Sequence, residues 1–163
     1  NSLLDFSRQT KKKKKPSDIN QIIQDSVFLL KNQYKNKDIE ITTNLQNNLP
    51  QIAIDPLQLK QVFINIILNA IEAISGKGTI TIRAEVIDMH IRIIFKDTGC
   101  GISDENIKKV MLPFFTTKDE SKGTGLGLAV SYGIIENNNG NIDIQSEVNR
   151  GTSVIITFPI EAT

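Results

Sequence analysis

Residues 56–75, PLQLKQVFINIILNAIEAIS, are the most strongly periodic stretch of the chain, and their reading decides the fold. Leu59, Val62, Phe63, Ile66, Ile67, Ala70, Ile71 and Ile74 recur at helical spacing and fall on one broad apolar face. Pro56 suits the first turn, where its missing N–H costs nothing, and Gly76 and Gly78 end the helix. The polar residues are ordered too. Asn65, Asn69 and Glu72 stand at i, i+4 and i+7 and share a narrow stripe, which Gln58 and Gln61 extend toward the N-terminus. That stripe is either the solvated edge of an amphipathic helix or a row of amides facing a cleft. In a cleft, a neutral amide oxygen can complete the octahedral shell of a Mg²⁺ already neutralised by phosphate oxygens.

Upstream of this helix lie short β-like pieces at 39–43 and 52–54. Before them Ile19, Ile22, Ile23, Val27 and Leu30 keep helical spacing through about residue 35, with Ser17 or Asp18 as the cap. Downstream, strands at 79–87 and 90–96 pair as a hairpin turning at Asp88-Met89. Residues 99–125, rich in Gly, Pro and Lys, read as a long loop with a short helix near 104–110; loops of that length are commonly lids or binding loops. A helix at 126–138 stops at Asn139-Gly140, and strands at 141–147 and 152–158 close the chain around the turn Asn149-Arg150-Gly151. Helices alternate with strand pairs in mixed order. The expected class is α+β: a two-layer sandwich of one mixed sheet with helices on one face.

Composition bounds the function. The 163 residues are 39% hydrophobic and 23% charged, enough apolar material for one domain with a real core. One cysteine and one histidine exclude an internal disulfide and a cysteine/histidine zinc site. The chain shows no membrane-spanning run and no signal-peptide pattern, and a cytoplasmic location is expected. Lys11 to Lys15 account for five of 19 basic residues; the remaining 14 face 18 acidic ones, so the body offers no broad basic face for nucleic acid. The lysine run reads as a solvated linker before Pro16. Residues 1–10, with Leu3, Leu4 and Phe6, look like the last turns of an amphipathic helix, and the start at Asn1 without Met points to a piece of a longer protein.

Three further motifs carry chemistry. Asp97-Thr98-Gly99-Cys100-Gly101-Ile102 follows a strand directly. Its spaced glycines let backbone approach a planar ligand, and its aspartate can accept from an exocyclic amine, selecting adenine over guanine. Pro113-Phe114-Phe115-Thr116-Thr117-Lys118 is either a satellite core or a clasp whose lysine reaches a phosphate. Gly123-Thr124-Gly125-Leu126-Gly127-Leu128 opens a helix, where successive N–H groups and the helix dipole make an anion site. No strand leads into it, against a dinucleotide fingerprint, and no Gly-Lys-Ser/Thr ending occurs, against a Walker A loop.

In this order and spacing the four groups resemble the ATP-binding catalytic domain of sensor histidine kinases, in the superfamily shared with gyrase, mismatch-repair and heat-shock ATPases. The N box resembles Asn65 to Glu72, the G1 box Asp97 to Ile102, the F box Pro113 to Lys118 and the G2 box Gly123 to Leu128, over about residues 17–160. The resemblance implies a Bergerat-type ATP-binding fold with ATP and Mg²⁺ as cofactors. It implies that Asp97 contacts the adenine amine, Thr152 helps hold the base, and Asn69 ligates the metal. Asn65 then lies by the phosphates, the G2 glycines wrap them, and Lys118 assists phosphoryl transfer with Asn65. Gly99, Gly101, Ile102, Phe115, Thr116, Thr117, Gly127 and Leu128 complete the implied nucleotide site.

The resemblance also divides the chain. Residues 1–10 are expected to end a helical dimerisation and phosphoacceptor domain, 11–16 to be a linker, and 17–163 to be the catalytic domain. The implied partners are that upstream domain and a response regulator. The full protein is expected to be a homodimer, with any membrane link through upstream regions. Superfamily hydrolases carry a water-activating Glu four residues before the metal-binding asparagine. Here Asn65 stands there and cannot act as a base, which favours transfer over hydrolysis. Glu72 departs from the Lys of many family kinases. A serine kinase of the anti-sigma-factor kind and a non-catalytic nucleotide sensor are the competing readings. His90, in a hairpin strand, reads as structural and not as the phosphoacceptor. Cys100 reads as a small tolerated side chain, and Met89 as turn filler.

Overall fold

Asp55 decides where the longest helix begins. Its buried side chain accepts the Leu57 N–H at 2.9 Å, and Pro56 follows at the first helical position. In this computed structural model, which describes residues 13–109 and 127–160, helix α3 runs Pro56–Ala73. Before it come strand β1 (Lys15–Ser17), helices α1 (Ile19–Leu29) and α2 (Lys31–Tyr34), and strands β2 (Ile39–Leu45) and β3 (Ile52–Ile54). After it come β4 (Gly78–Ile87), β5 (His90–Asp97), α4 (Asp104–Ile107), α5 (Gly127–Asn137), β6 (Asn141–Glu147) and β7 (Gly151–Pro159).

Five strands form one sheet in the order β2-β4-β5-β7-β6, parallel between β2 and β4 and antiparallel elsewhere. The sheet is mixed, and α1, α3 and α5 cover one face, as the element order leads one to expect. Strand alternation sorts the residues. Ile80, Ile82 and Ala84 of β4, Ile91, Ile93 and Phe95 of β5, and Val154, Ile156 and Phe158 of β7 enter the core with the apolar face of α3. Phe63 of α3 meets Phe95 with ring centroids 5.4 Å apart and planes tilted by 46°. Residues of the opposite parity face outward and are mostly polar, with Ile94 and Ile155 paired among them; the Glu85 carboxylate accepts from Arg92 of the neighbouring strand at 2.9 Å.

The structure adjusts several expected boundaries. The first helix breaks at Leu30, whose dihedrals (φ −92°, ψ 2°) leave the helical region, so α2 is separate. Asp18, not Ser17, caps α1, accepting from Gln21 N–H at 3.2 Å; the Ser17 hydroxyl instead donates to the Ile54 carbonyl at 3.0 Å. That bond belongs to a small antiparallel ladder in which Lys15, Pro16 and Ser17 pair with Ile54, Ala53 and Ile52. Lys15 and Pro16, expected in a linker, are therefore already tied to the fold. Helix α3 stops one residue before Ile74, which turns extended (ψ 121°) yet stays buried, packed where a Cβ on Gly78 would lie 2.6 Å from it. Asp88 and Met89, both at positive φ (49° and 62°), make the tight turn between β4 and β5.

Phe95 is both core and neighbour to the site, so Phe95→Ala should cost about 3–5 kcal/mol by the usual price of an aromatic cavity. Denaturant unfolding of the variant checks this; a loss below about 1 kcal/mol would show that Phe95 does not anchor the sheet to α3.

Candidate nucleotide site

Strand β5 alternates inward Ile91, Ile93 and Phe95, and the next inward position is Asp97. A carboxylate thus stands where the pattern calls for an apolar residue, 6% exposed, at the end of a central strand. Its register partners are Ile80 on β4 and Thr152 on β7. Burial raises the Asp97 pKa above the ordinary value of 3.8, while the backbone N–H groups of Gly99 and Thr152 pull it back. The Gly99 bond to Oδ1 measures 2.8 Å. A buried acceptor held this way suits a ligand that brings its own N–H donor.

The loop after Asp97 is clamped on two sides. Cys100 donates its N–H to the Ala73 carbonyl at 2.9 Å, docking the loop on the last turn of α3. A Cβ on Gly99 would sit 2.7 Å from that carbonyl oxygen, too close for any side chain. On the other side the Cys100 carbonyl accepts from Asn149 N–H at 2.8 Å, and Ile102 N–H donates to Ser146 Oγ at 2.7 Å. Gly101, at φ 74°, presses against the Glu147 carbonyl. Both loop glycines are thus demanded by protein backbone, in addition to any demand a ligand makes. Gly151, at φ 121°, leaves no room for a side chain against the Asp97 carbonyl.

The other end of the site lies along α3. A Cβ on Gly127, the first residue of α5, would come 3.8 Å from Asn65 Cγ, so the start of α5 opens toward the amide stripe. Asn69 follows one turn on and is half-buried, and Glu72 is exposed beyond it. From Asn65 to Ala73 the helix rises by about 12 Å, so one rigid element runs from the start of α5 to the loop that follows Asp97. No three His, Cys, Asp or Glu side chains gather into a cation cage among the described residues. The nearer donors on this face are the neutral carboxamides of Asn65 and Asn69, with the Glu72 carboxylate at the exposed far end, and such carboxamides fit a cation that arrives with phosphate oxygens.

The structure therefore brings Asn65 beside Gly127 and Asp97 beside Gly99 and Thr152, with Ile102 linked to Thr152 through Ser146 and Gly101 held against Glu147. Leu128 sits in the first turn of α5, half-buried. Phe115, Thr116, Thr117, Lys118, Gly123, Thr124, Gly125 and Leu126 lie outside the described residues. Sequence reasoning missed Ala73, Ser146 and Asn149. Ser146 was accessible in principle: a turn at residues 148–150 forces Glu147 opposite Gly151 and Ser146 opposite Thr152.

Comparison with known proteins shows the family and supports the fold. Residues 54–162 match the family described as histidine kinase-, DNA gyrase B- and HSP90-like ATPase. Sporulation kinase E of Bacillus subtilis (strain 168) is 41% identical over 143 residues, 87% of this chain and 19% of that protein. Sensor histidine kinase ZraS of Escherichia coli (strain K12) is 34% identical over 161 residues, 99% of this chain and 34% of that protein. The chain thus spans between about a fifth and a third of the length of these relatives. The solved catalytic domain of histidine kinase ThkA matches with TM-score 0.80 at 31% identity, covering 90% of this chain and 95% of that one. ThkA is also solved in complex with response regulator protein TrrA, with TM-score 0.76 and 28% identity over 91% of this chain and 42% of that one.

The raised Asp97 pKa has a measurable consequence. Below 3.8 the carboxyl is neutral in folded and unfolded chains alike; above it the folded state resists ionisation, so stability falls as pH rises through the native value. Asp97→Asn removes that loss. The variant's melting temperature relative to wild type should therefore rise as pH goes from near 3.8 to neutrality. A difference that is flat with pH would mean that burial does not perturb Asp97.

Proposed function

The chain belongs to the histidine kinase-, DNA gyrase B- and HSP90-like ATPases and is an ATP-binding domain, and on that premise we propose that it is the catalytic domain of a sensor histidine kinase. In this reading it transfers the γ-phosphoryl group of Mg-ATP to a histidine on a helical dimerisation and phosphoacceptor domain. The observation that carries the reading is Asn65 beside the start of α5. A carboxamide stands where hydrolases of the family place a water-activating carboxylate. It can bind and orient phosphate but cannot take a proton from water.

The roles follow from position. Asp97 accepts from the exocyclic amine of adenine, with Thr152 beside it. Asn69 offers its carboxamide oxygen to Mg²⁺, which supplies charge neutralisation on the triphosphate when bound. The phosphates are assigned to the backbone N–H groups of residues 123–128, and Lys118 is assigned a positive charge for the transfer. Catalysis is then mostly positioning, and the acceptor histidine brings its own base. Residues 1–10 end the phosphoacceptor domain and 11–16 lead from it. The phosphorylated partner passes its phosphoryl group to a response regulator, a reading supported by the ThkA–TrrA complex. The whole protein is a homodimer whose catalytic domain works in the cytoplasm; no helix among the described residues is long and apolar enough to cross a membrane.

Calorimetry and a transfer assay test this. Mg-ATP should bind wild type, and Asn69→Ala should weaken binding about tenfold or more, or roughly 1.4 kcal/mol, with metal-free nucleotide changing little. Acid-labile phosphate should form on an added histidine-bearing helical domain and not on this chain alone. Labelling of the isolated chain, or an unaltered metal dependence in Asn69→Ala, would overturn the assignment.

A further inference from the structure

The outer side of a surface helix is expected to be polar, and α1 departs from this at its end. Its inner positions Ile19, Ile22, Ile23 and Ser26 are buried. Phe28 lies two residues past Ser26, hence on the far side of the helix, and is 72% exposed; Leu29 beside it is 56% exposed. The helix then breaks at Leu30, which is buried and pins the corner, and the chain continues through α2 into the turn at 35–38. Backbone bonds fix this corner. Leu30 N–H donates to the Ser26 carbonyl at 3.3 Å, Gln33 N–H to the Leu30 carbonyl at 2.8 Å and Lys35 N–H to the Lys31 carbonyl at 3.1 Å. Two neighbouring apolar side chains are thus held in water by ordered backbone, unlike the scattered single ones that any surface carries.

The charges around them are one-sided. Residues 26–37 hold Lys31, Lys35 and Lys37 and no acid, the nearest in sequence being Asp25 and Asp38. All three lysines are exposed, and none forms an ion pair among the described residues. The rest of the body is acidic: apart from these three and Lys11 to Lys15, 11 basic residues stand against 18 acidic ones. An uncompensated cationic corner in an acidic body selects a partner with dense negative charge. The two apolar side chains require that partner to offer an apolar layer just beneath it, and a lipid surface has both. The choice of cation agrees. Protein interfaces favour arginine and are depleted in lysine, whereas lysines on long stems reach headgroups while apolar neighbours sink between them. We propose that this corner is a docking surface for an anionic lipid bilayer. Phe28 and Leu29 enter the boundary between headgroups and acyl chains, and Lys31, Lys35 and Lys37 meet lipid phosphates and carboxylates. The contact is weak and reversible, no stronger than a single acyl anchor, and it is independent of the nucleotide reading above.

The chain has no tryptophan, so Phe28→Trp places a single reporter at the corner. With vesicles of equimolar phosphatidylserine and phosphatidylcholine its emission should shift to the blue, and high salt should abolish the shift; pure phosphatidylcholine should give none. In that background Lys31→Gln, Lys35→Gln and Lys37→Gln should each weaken binding to the mixed vesicles about fivefold. The control is Leu57→Trp, at an exposed position three residues past Ile54, the ladder partner of Lys15. It is needed because Lys11 to Lys15 can tether the chain by charge alone. A shift at Leu57→Trp with none at Phe28→Trp means that the lysine run makes the contact, and the inference is overturned. Equal vesicle affinity of the three glutamine variants and their parent overturns it too. So does a blue shift of Phe28→Trp that appears on raising the protein concentration without vesicles, since a second copy then covers the corner.

Discussion

The site depends on how the last turn of α3 meets the loop that follows β5. The Ala73 carbonyl is one of the helix's terminal acceptors, and the Cys100 N–H satisfies it. That bond closes only because Gly99 has no Cβ, since any side chain there would collide with the same carbonyl. The contact fixes the sheet's carboxylate relative to the helix's amides. Asp97 belongs to β5 and Asn65 to α3, and no covalent feature near either sets their separation. Core packing of Phe63 on Phe95 brings the helix onto the sheet, and the Ala73–Cys100 bond fixes how far along its axis it lies.

Much of this was legible in the residues. The eight apolar positions from Leu59 to Ile74 announced α3, and seven of them are helical and buried in it. The eighth, Ile74, shows the limit of periodicity. It stays in the core after the helix has ended, because burial is set by where Gly78 lets it lie and not by helical phase. Asp88-Met89 and Asn149-Arg150-Gly151 marked hairpins correctly. The pairing of Lys15–Ser17 with Ile52–Ile54 was not legible, since two three-residue strands far apart in sequence carry no local signal for each other. The break at Leu30 was hidden for a similar reason: the apolar spacing runs straight through it.

The candidate site divides along the same line. Residues proposed to meet a ligand stood out through composition: a carboxylate where a strand should be apolar, amides in a stripe, glycines before a helix. Residues that hold those groups in place did not. Ala73 acts through its carbonyl, which every residue has, and Asn149 through its N–H. Ser146 looks like an ordinary polar residue on an edge strand until the hairpin register sets it opposite Thr152. Backbone roles leave no trace in side-chain chemistry, so they are found in the structure first.

A buried carboxylate at the end of β5 and neutral carboxamides along α3 make opposite electrostatic choices. The carboxylate bears a desolvation cost that its two backbone donors only partly offset, so the fold carries it at the expense of its own stability. That cost is tolerable because Asp97 closes the end of a central strand, where the Gly99 and Thr152 amides are fixed by the loop and the ladder. Along α3 the choice is reversed. A carboxylate at residue 65 would add negative charge beside the start of α5 and would supply a base for water. The carboxamide avoids both effects and leaves the positive end of α5 without a neighbouring negative charge at residue 65. The fold therefore keeps its buried charge at the end of β5 and neutral amides at residues 65 and 69 of α3.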